Sequence, residues 1–450
     1  MGESTESIVK IVKSMGFEDV VADTYDSRMV YLKIVNSEVD SIVEKHNRST
    51  NLFLAKKKKI TYLGDIGDTS KRGIVENVKK GAKSLEGLKA KEDYFGIAEP
   101  GKKIKDIYSY DKKIENCGND ALADKAVSAI NSAVENGATS VAGMIVIGSG
   151  TSHTSTSNGF DNDERSTFVR MSLRVFNKNI SFQNVFASRM LSGIEFDKES
   201  KKAAQMVGGT KKIGKIENGK YDVIYMQSPG GSLLTNITSA ACMTNAETGS
   251  CMTGKLNKEV AGKDLKIYDD GMIKEGTQSS TYDSEGTPSQ STVVIENGVL
   301  KNYLHNYSTA KKYNTKSTGN AGLIMPSSRT LVLKHKRSVK DIDDLMSEVK
   351  NGILVTNSWY TRFKSYVDGD FSTMPRDLAI YIKNGEPQYV IKQKDVGPIV
   401  GIRVSDNLLR MMKNMTLVAK DERQCASWDT EFECFFVPSM LIRDVSVTVV

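Results

Sequence analysis

From Val20 to Gly67 the chain alternates apolar and polar residues, in the runs VVADTYD, MVYLKIVNSEVDSIVEKH and STNLFLAKKKKITYLGDIG. A period of two sends successive side chains to opposite faces, which a helix cannot do, so this stretch predicts strands. Asn36-Ser37 and the lysine run Lys56–Lys59 separate the runs and mark the turns of an antiparallel meander. A helix is expected on each side of it. Ser4–Met15 sets Ile8, Ile11, Val12 and Met15 on one stripe, and Lys71–Leu85 follows Asp68-Thr69-Ser70, residues suited to capping a helix start.

The same pattern then recurs. A helix at Asp120–Asn136 carries Leu122, Ala126, Ala129, Ile130 and Ala133 on one face. Strands follow through SVAGMIVIGSG, SHTSTSNGFDND and STFVRMSLRVFN, and a helix near Lys198–Val207 stops at Gly208-Gly209. Between the two copies Glu86–Gly118 is charged and aperiodic, with Pro100-Gly101 at its centre. The fold class is therefore α+β. We expect a helix-plus-antiparallel-sheet unit over 1–90, a linker over 91–118, a second such unit over 119–215, and a β-rich C-terminal domain over 216–450. In that last part strands are expected at Tyr221–Met226, Thr292–Glu296, Leu300–Leu304, Arg329–Lys334, Ile353–Lys364 and Ile380–Lys383, with a helix at Asp341–Lys350.

Composition removes several function classes. No run of eighteen apolar residues occurs, and the first ten residues, MGESTESIVK, lack the basic and apolar regions of a signal peptide, so a cytoplasmic protein that does not engage membranes is expected. The net charge of +7 is spread over short lysine runs (Lys56–Lys59, Lys102–Lys105, Lys211-Lys212, Lys311-Lys312) with few aromatics between them. Nucleic-acid binding would gather such charge on one face with stacking rings, so solvated surface and no nucleic-acid partner is the reading. The five cysteines form no C-x-x-C and are odd in number, which suits free thiols in a reducing compartment.

Motifs concentrate at Tyr282–Ala321, which reads as a turn (Asp283-Ser284-Glu285-Gly286-Thr287-Pro288), a strand, an Asn297-Gly298 turn, a second strand ending at His305, and the loop Ser317-Thr318-Gly319-Asn320-Ala321. Together with Gly369-Asp370-Phe371-Ser372 and the run GIRVSDNL at Gly401–Leu408, this order closely resembles the C-terminal domain of the TldD/PmbA family. The TldD branch of that family comprises zinc-dependent peptidases. Its metal-bearing members carry a His-Glu-x-x-x-His run on the helix after a Gly-Gly-x-Leu-Leu stretch. The same frame here is Gly230-Gly231-Ser232-Leu233-Leu234-Thr235-Asn236-Ile237-Thr238-Ser239-Ala240. Thr235, Asn236 and Ala240 stand where the first His, the Glu and the second His would be.

Zinc needs imidazole or anionic ligands, and a hydrolytic site also needs a carboxylate to take a proton from metal-bound water. Threonine, asparagine and alanine provide none of these. Only four histidines exist (His46, His153, His305, His335), no two within five positions. The resemblance therefore implies the metal-lacking PmbA or TldE branch, without a cofactor of its own and with zinc expected only in a partner subunit.

It also implies a role: the non-metal subunit of a heteromeric peptidase for unfolded or short peptides, beside a metal-bearing TldD-like partner. The alternative is a free-standing homodimeric peptide-binding or scaffold protein. Asp283, Glu285, Thr287, His305, Ser317, Thr318 and Asn320 are candidates for a peptide groove, or else local turn and packing residues. Trp359, Tyr360 and Arg362 are candidate interface anchors, because Trp, Tyr and Arg dominate interface energetics; core packing is the competing account. Arg376-Asp377 reads either as part of the groove or as an internal ion pair. No catalytic residue is identified.

Overall fold

The computed structural model describes residues 2–102, 107, 109–209, 212–393, 400–426 and 434–450. α1 (Thr5–Ser14) is capped by Ser4, whose side chain accepts from the backbone of Ser7, and it buries Ile8, Val9 and Val12. The meander follows as β1 (Asp19–Val35), β2 (Glu38–Lys56) and β3 (Lys59–Leu63). Its turns are two residues long with positive φ at both positions: 49° and 67° at Asn36 and Ser37, 50° and 57° at Lys57 and Lys58. That backbone matches the twist of the paired strands it joins. α2 (Lys71–Glu86) starts at a Ser70 cap.

The second copy comprises α3 (Lys112–Glu115), α4 (Asn119–Glu135), β4 (Ser140–Thr156), β5 (Asp161–Asn177), β6 (Ile180–Ser188) and α5 (Phe196–Gly209). SHTSTSNGFDND is not one strand, since the chain turns at 157–160 between β4 and β5. The two meanders share a single sheet in the order β3-β2-β1-β4-β5-β6. β1 pairs antiparallel with β4 from Val21↔Thr156 to Ile34↔Gly143. Joining them this way removes two long unpaired edges that would otherwise stand open. The connection between the copies is tied to both halves of the molecule. Tyr94 Oη donates to Asp19 Oδ2 at 2.9 Å, and the Phe95 amide donates to Ser308 Oγ at 2.9 Å. Residues 103–106 and 108 of this connection lie outside the described residues, as do Lys103 and Lys105 of one lysine run and Lys211 of another.

The C-terminal part runs β7 (Ile213–Gly214), β8 (Gly219–Tyr225), α6 (Gln227–Ala240), α7 (Met243–Thr248), β9 (Leu265–Asp270), β10 (Ser291–Glu296), β11 (Val299–Leu300), α8 (Tyr307–Lys312), β12 (Thr330–His335) and β13 (Ser338–Val339). It continues α9 (Ile342–Ser347), β14 (Asn351–Ser365), β15 (Asp370–Lys383), β16 (Glu386–Ile391), β17 (Ile402–Asn407), α10 (Leu408–Lys413), β18 (Met415–Ala419), β19 (Arg423–Ala426), β20 (Cys434–Val437) and β21 (Met440–Val449). Two sheets result. One has the order β11-β10-β9-β12-β20-β19 and the other β13-β18-β21-β8-β14-β15-β16-β7, with β17 pairing β15 and β21. α6 packs between them, against β20, β19 and β12 on one side and β14 and β8 on the other.

Three local expectations change. The helix does not follow the Gly230-Gly231-Ser232-Leu233-Leu234 stretch but contains it, as part of α6. A Cβ at Gly231 would sit 2.0 Å from Phe435 Cδ2, so the two glycines let the helix lie directly on β20 and β21. The strand expected to reach His305 stops at Leu300, because the Leu304 amide donates instead to Ala241 O at the end of α6, 2.9 Å away. The strand expected at Ile380–Lys383 is longer: β15 begins at Asp370, within the Gly369-Asp370-Phe371-Ser372 motif, and carries Pro375 within it. Among the described residues no helix is long and apolar enough to cross a membrane.

Candidate functional site

A cleft of about 820 Å³ opens between α7, β10, the segment 301–305 and the loop 313–318. That volume lies in the range of ligand pockets. Its wall is mixed: Met243, Leu256 and Val293 give apolar surface, while Glu247, Lys301 and His305 bring charge and hydrogen-bonding groups. β10 borders it. β11 is only two residues long and pairs with β10 at Ile295 and Glu296 alone, so the first half of β10 has no neighbouring strand on that side among the described residues. Val293 O accepts from Asn302 Nδ2 at 2.8 Å there, a side chain where a strand would otherwise pair.

His305, Ser317 and Thr318 all line this cleft. The His305 amide donates to Thr318 Oγ1 at 2.8 Å, and Ser317 Oγ donates to His305 O at 3.3 Å, so the loop is pinned to the His305 backbone. The His305 ring contacts Thr309 Oγ1 through Nδ1 at 3.2 Å. Burial pushes its pKa below the ordinary value, which keeps the imidazole neutral at pH 7.

The other groove candidates lie elsewhere. Asp283 is buried and closes its own turn: Oδ1 accepts from the amides of Glu285 and Thr287 at 3.0 and 2.9 Å, and Oδ2 from the Ala321 amide at 2.9 Å. Gly286, at φ 85°, completes that turn under Phe160, where a Cβ would come within 2.5 Å of the ring. Asn320 is buried too and donates to Asp269 Oδ1 at 2.6 Å. Asp269, which the sequence reading did not single out, also accepts from the Arg329 amide at 2.7 Å. Burial pushes its carboxyl up to about 7.

Glu285 borders a smaller pocket with Tyr94 and Lys312. It accepts from the Tyr307 amide at 3.1 Å and is pushed up to about 8, first by burial and then by the neighbouring Asp283. Its unfolded value is near 4.5. Between those values the folded state holds more protons than the unfolded one, so the stability that the neutral carboxyl contributes is complete below about 4.5 and lost as pH rises through about 8. Glu285→Gln, neutral at every pH, is expected to gain at least about 1 kcal/mol on the wild type between pH 5 and 9. Urea unfolding at several pH values measures this, and parallel stability curves for the two proteins would refute it.

Thr235, Asn236 and Ala240, the positions that the resemblance sets against the metal motif, sit on α6. Thr235 Oγ1 donates to Ser232 O at 3.1 Å and Asn236 Nδ2 to Leu233 O at 2.9 Å, so both side chains turn back onto their own helix. Ala240 offers no donor atom. Among the described residues no three His, Cys, Asp or Glu are grouped to hold a metal ion. All five cysteines are free and buried, and burial raises each thiol, to about 12 at Cys242 and Cys425 and about 11 at Cys251. Neutral thiols are poor metal ligands. The residues present do not fit a zinc ion.

Trp359 is half-buried in β14, with the Arg376 guanidinium 3.1 Å and the Arg174 guanidinium 5.3 Å from its ring centroid. Tyr360 is 52% exposed. Arg362 is also exposed, 5.9 Å over the Tyr360 ring. Asp377 does form an internal ion pair, but with Arg174 at 2.9 Å and not with Arg376.

Residues 218–449 match the domain family described as PmbA/TldA metallopeptidase C-terminal domain. An uncharacterized protein of Methanocaldococcus jannaschii, MJ0231, is 26% identical over 396 residues, which cover 85% of this chain and 88% of that protein. A metalloprotease TldD homolog of Buchnera aphidicola is 31% identical over 184 residues, 39% of this chain and 35% of that relative's length. Among solved structures, TldE from Thermococcus kodakarensis superposes with a TM-score of 0.82 at 18% identity, over 98% of this chain and 99% of that one. At that identity the likeness is one of fold.

Proposed function

Because this chain belongs to the TldD/PmbA family, we propose that it is a TldE-type subunit without metal, which completes the peptide cleft of a heteromeric peptidase whose zinc is held by a TldD-like partner. The observation that carries this reading is the chemistry of α6, where a threonine, an asparagine and an alanine occupy the ligand and base positions and the two polar ones hydrogen-bond to their own helix. The cleft beside β10 supports a binding role. An extended peptide laid along the open half of β10 gains main-chain hydrogen bonds whatever its side chains are, which suits unfolded or short substrates. A cytoplasmic location goes with this proposal.

Elemental analysis tests it. After exhaustive dialysis the purified chain is expected to hold far less than one zinc per molecule. About one zinc per chain would overturn the assignment and make Cys242, Cys251 and Cys434 the first suspects. The chemistry is also expected to resist simple repair. Restoring all three positions at once (Thr235→His, Asn236→Glu, Ala240→His) should leave peptide turnover far below that of a metal-bearing relative, since a metal site needs outer partners that orient its ligands and a first shell held to about 0.5 Å. Comparable turnover by the triple variant would show that those supports had been retained.

The free-standing peptide-binding protein is favoured by one feature: the cleft and the open strand edge are both complete within a single chain.

A further inference from the structure

Two irregularities flank a short regular stretch of the β14–β15 hairpin. β14 carries one extra residue between Trp359 and Arg362, and β15 carries one extra residue opposite Val355–Asn357. At these bulges two residues that are not glycine have positive φ, Tyr360 at 57° and Asp377 at 62°. Such backbone is strained, and bulges of this kind re-aim side chains. The cross-strand partners between the bulges are Asn357↔Arg376, Ser358↔Pro375 and Trp359↔Met374, which makes Arg376 the diagonal neighbour of Trp359.

What the bulges aim is a cation. Asp377 is fully spent on other groups: it receives Arg174 at 2.9 Å, Ser181 Oγ at 2.7 Å and Asn357 Nδ2 at 2.8 Å. Arg376, next to it in the chain, has its guanidinium carbon over the indole, 3.1 Å from the ring centroid. Among the described residues its guanidinium has no hydrogen-bond or ion-pair partner, and its Nε is buried without one. Two guanidinium groups thus share one indole, and the single carboxylate beside them makes its ion pair with Arg174. Burial pulls the Arg376 pKa below its ordinary value, against the opposing charge of Asp377 and with a smaller push from Arg174. Stacking on an aromatic face offsets part of that cost and leaves the in-plane N–H fork free. A planar, bidentate anion is the group that fork matches.

We propose that Arg376, held on Trp359 and flanked by the exposed Tyr360, is a binding site for a carboxylate carried by a peptide, either its C-terminus or an acidic side chain. The carrier rests on the peptide-binding reading above; the carboxylate rests on the geometry of Arg376. The Tyr360 ring, edge-on to Trp359 at 5.9 Å and 84°, provides the apolar wall against which the neighbouring residue of such a peptide would lie.

Isothermal titration of the full chain with three N-acetylated peptides of one sequence tests the site. One ends in a free carboxylate, one in an amide, and one in an amide with a single internal glutamate. The wild type is expected to bind at least one of the acidic peptides roughly tenfold or more tighter than the neutral amide, the gain of one charge-assisted bidentate pair. Which of the two is preferred distinguishes a C-terminus from a side chain. Arg376→Gln should erase the difference while leaving the neutral amide's affinity unchanged. Arg376→Lys, which keeps the cation on the ring and loses the fork, should retain only a small part of it. Equal binding of all three peptides by the wild type, or an undiminished preference in both variants, would overturn the site and leave the peptide reading standing. Binding of none would end both.

Discussion

Asp377→Ala is expected to lower the unfolding free energy by about 3–5 kcal/mol, the range for removing one partner of a buried ion pair. The carboxylate is fully buried, and from its place on β15 it receives donors from three other strands: Arg174 on β5, Ser181 on β6 and Asn357 on β14. Its loss would strand a guanidinium that is 20% exposed, together with a hydroxyl and an amide, where the six-stranded sheet meets the nine-stranded one. Alanine at φ 62° adds a left-handed backbone penalty of about 1 kcal/mol that asparagine largely escapes. Asp377→Asn, which keeps the shape and an acceptor, should therefore cost clearly less. The pair Arg174→Ala with Asp377→Ala should cost less than the sum of the two single changes, because neither charge is then left buried alone. Urea midpoints at pH 7 measure all four proteins. A loss below about 1 kcal/mol for Asp377→Ala would mean that the two sheets are held by apolar contacts and that this network is incidental.

The regular elements were legible because their signals are local. Positive-φ turns at Asn36-Ser37 and Lys57-Lys58, the Ser4 and Ser70 caps and the two-residue period of β1 and β2 each depend on residues a few positions apart. What was not legible depends on long-range partners. The open edge of β10 exists because Leu304 is claimed by the end of α6, a pairing that no period in Leu300–Leu304 announces. Asp283 and Asn320 have the composition of a binding loop, yet their polar atoms are consumed by Ala321, Thr287 and Asp269. The cleft brings Glu247 of α7 beside Lys301 and Tyr303 of a distant segment, so their only sequence trace is polarity next to short apolar runs. Arg376 and Asp377 look like a pair when written side by side. A bulge sends them to different partners.

Mixing this chain with a metal-bearing relative is expected to give a stable complex whose peptidase rate exceeds that of the relative alone. On the proposed reading, a subunit with Thr235, Asn236 and Ala240 on α6 acts on its partner through contact. A stable obligate contact buries on the order of 2,000 Å² or more and is anchored by exposed aromatic and apolar groups. The geometry redistributes the sequence candidates for those anchors. Trp359 lies under Arg376 beside the Arg174–Asp377 pair, so Trp359→Ala should lower the melting temperature of the isolated chain as well as the yield of complex. The end of the β14–β15 hairpin is different: Tyr366 is 68% exposed and Val367 58%, with Tyr366 stacked on Phe363 at 4.9 Å. Tyr366→Ala with Val367→Ser should leave the isolated chain's melting temperature nearly unchanged, as surface changes do, while removing most of the complex on gel filtration. The rate gain should fall in step with the complex. Separate peaks for the two wild-type chains, with the relative's rate unaltered by this one, would instead favour a protein that binds peptides on its own.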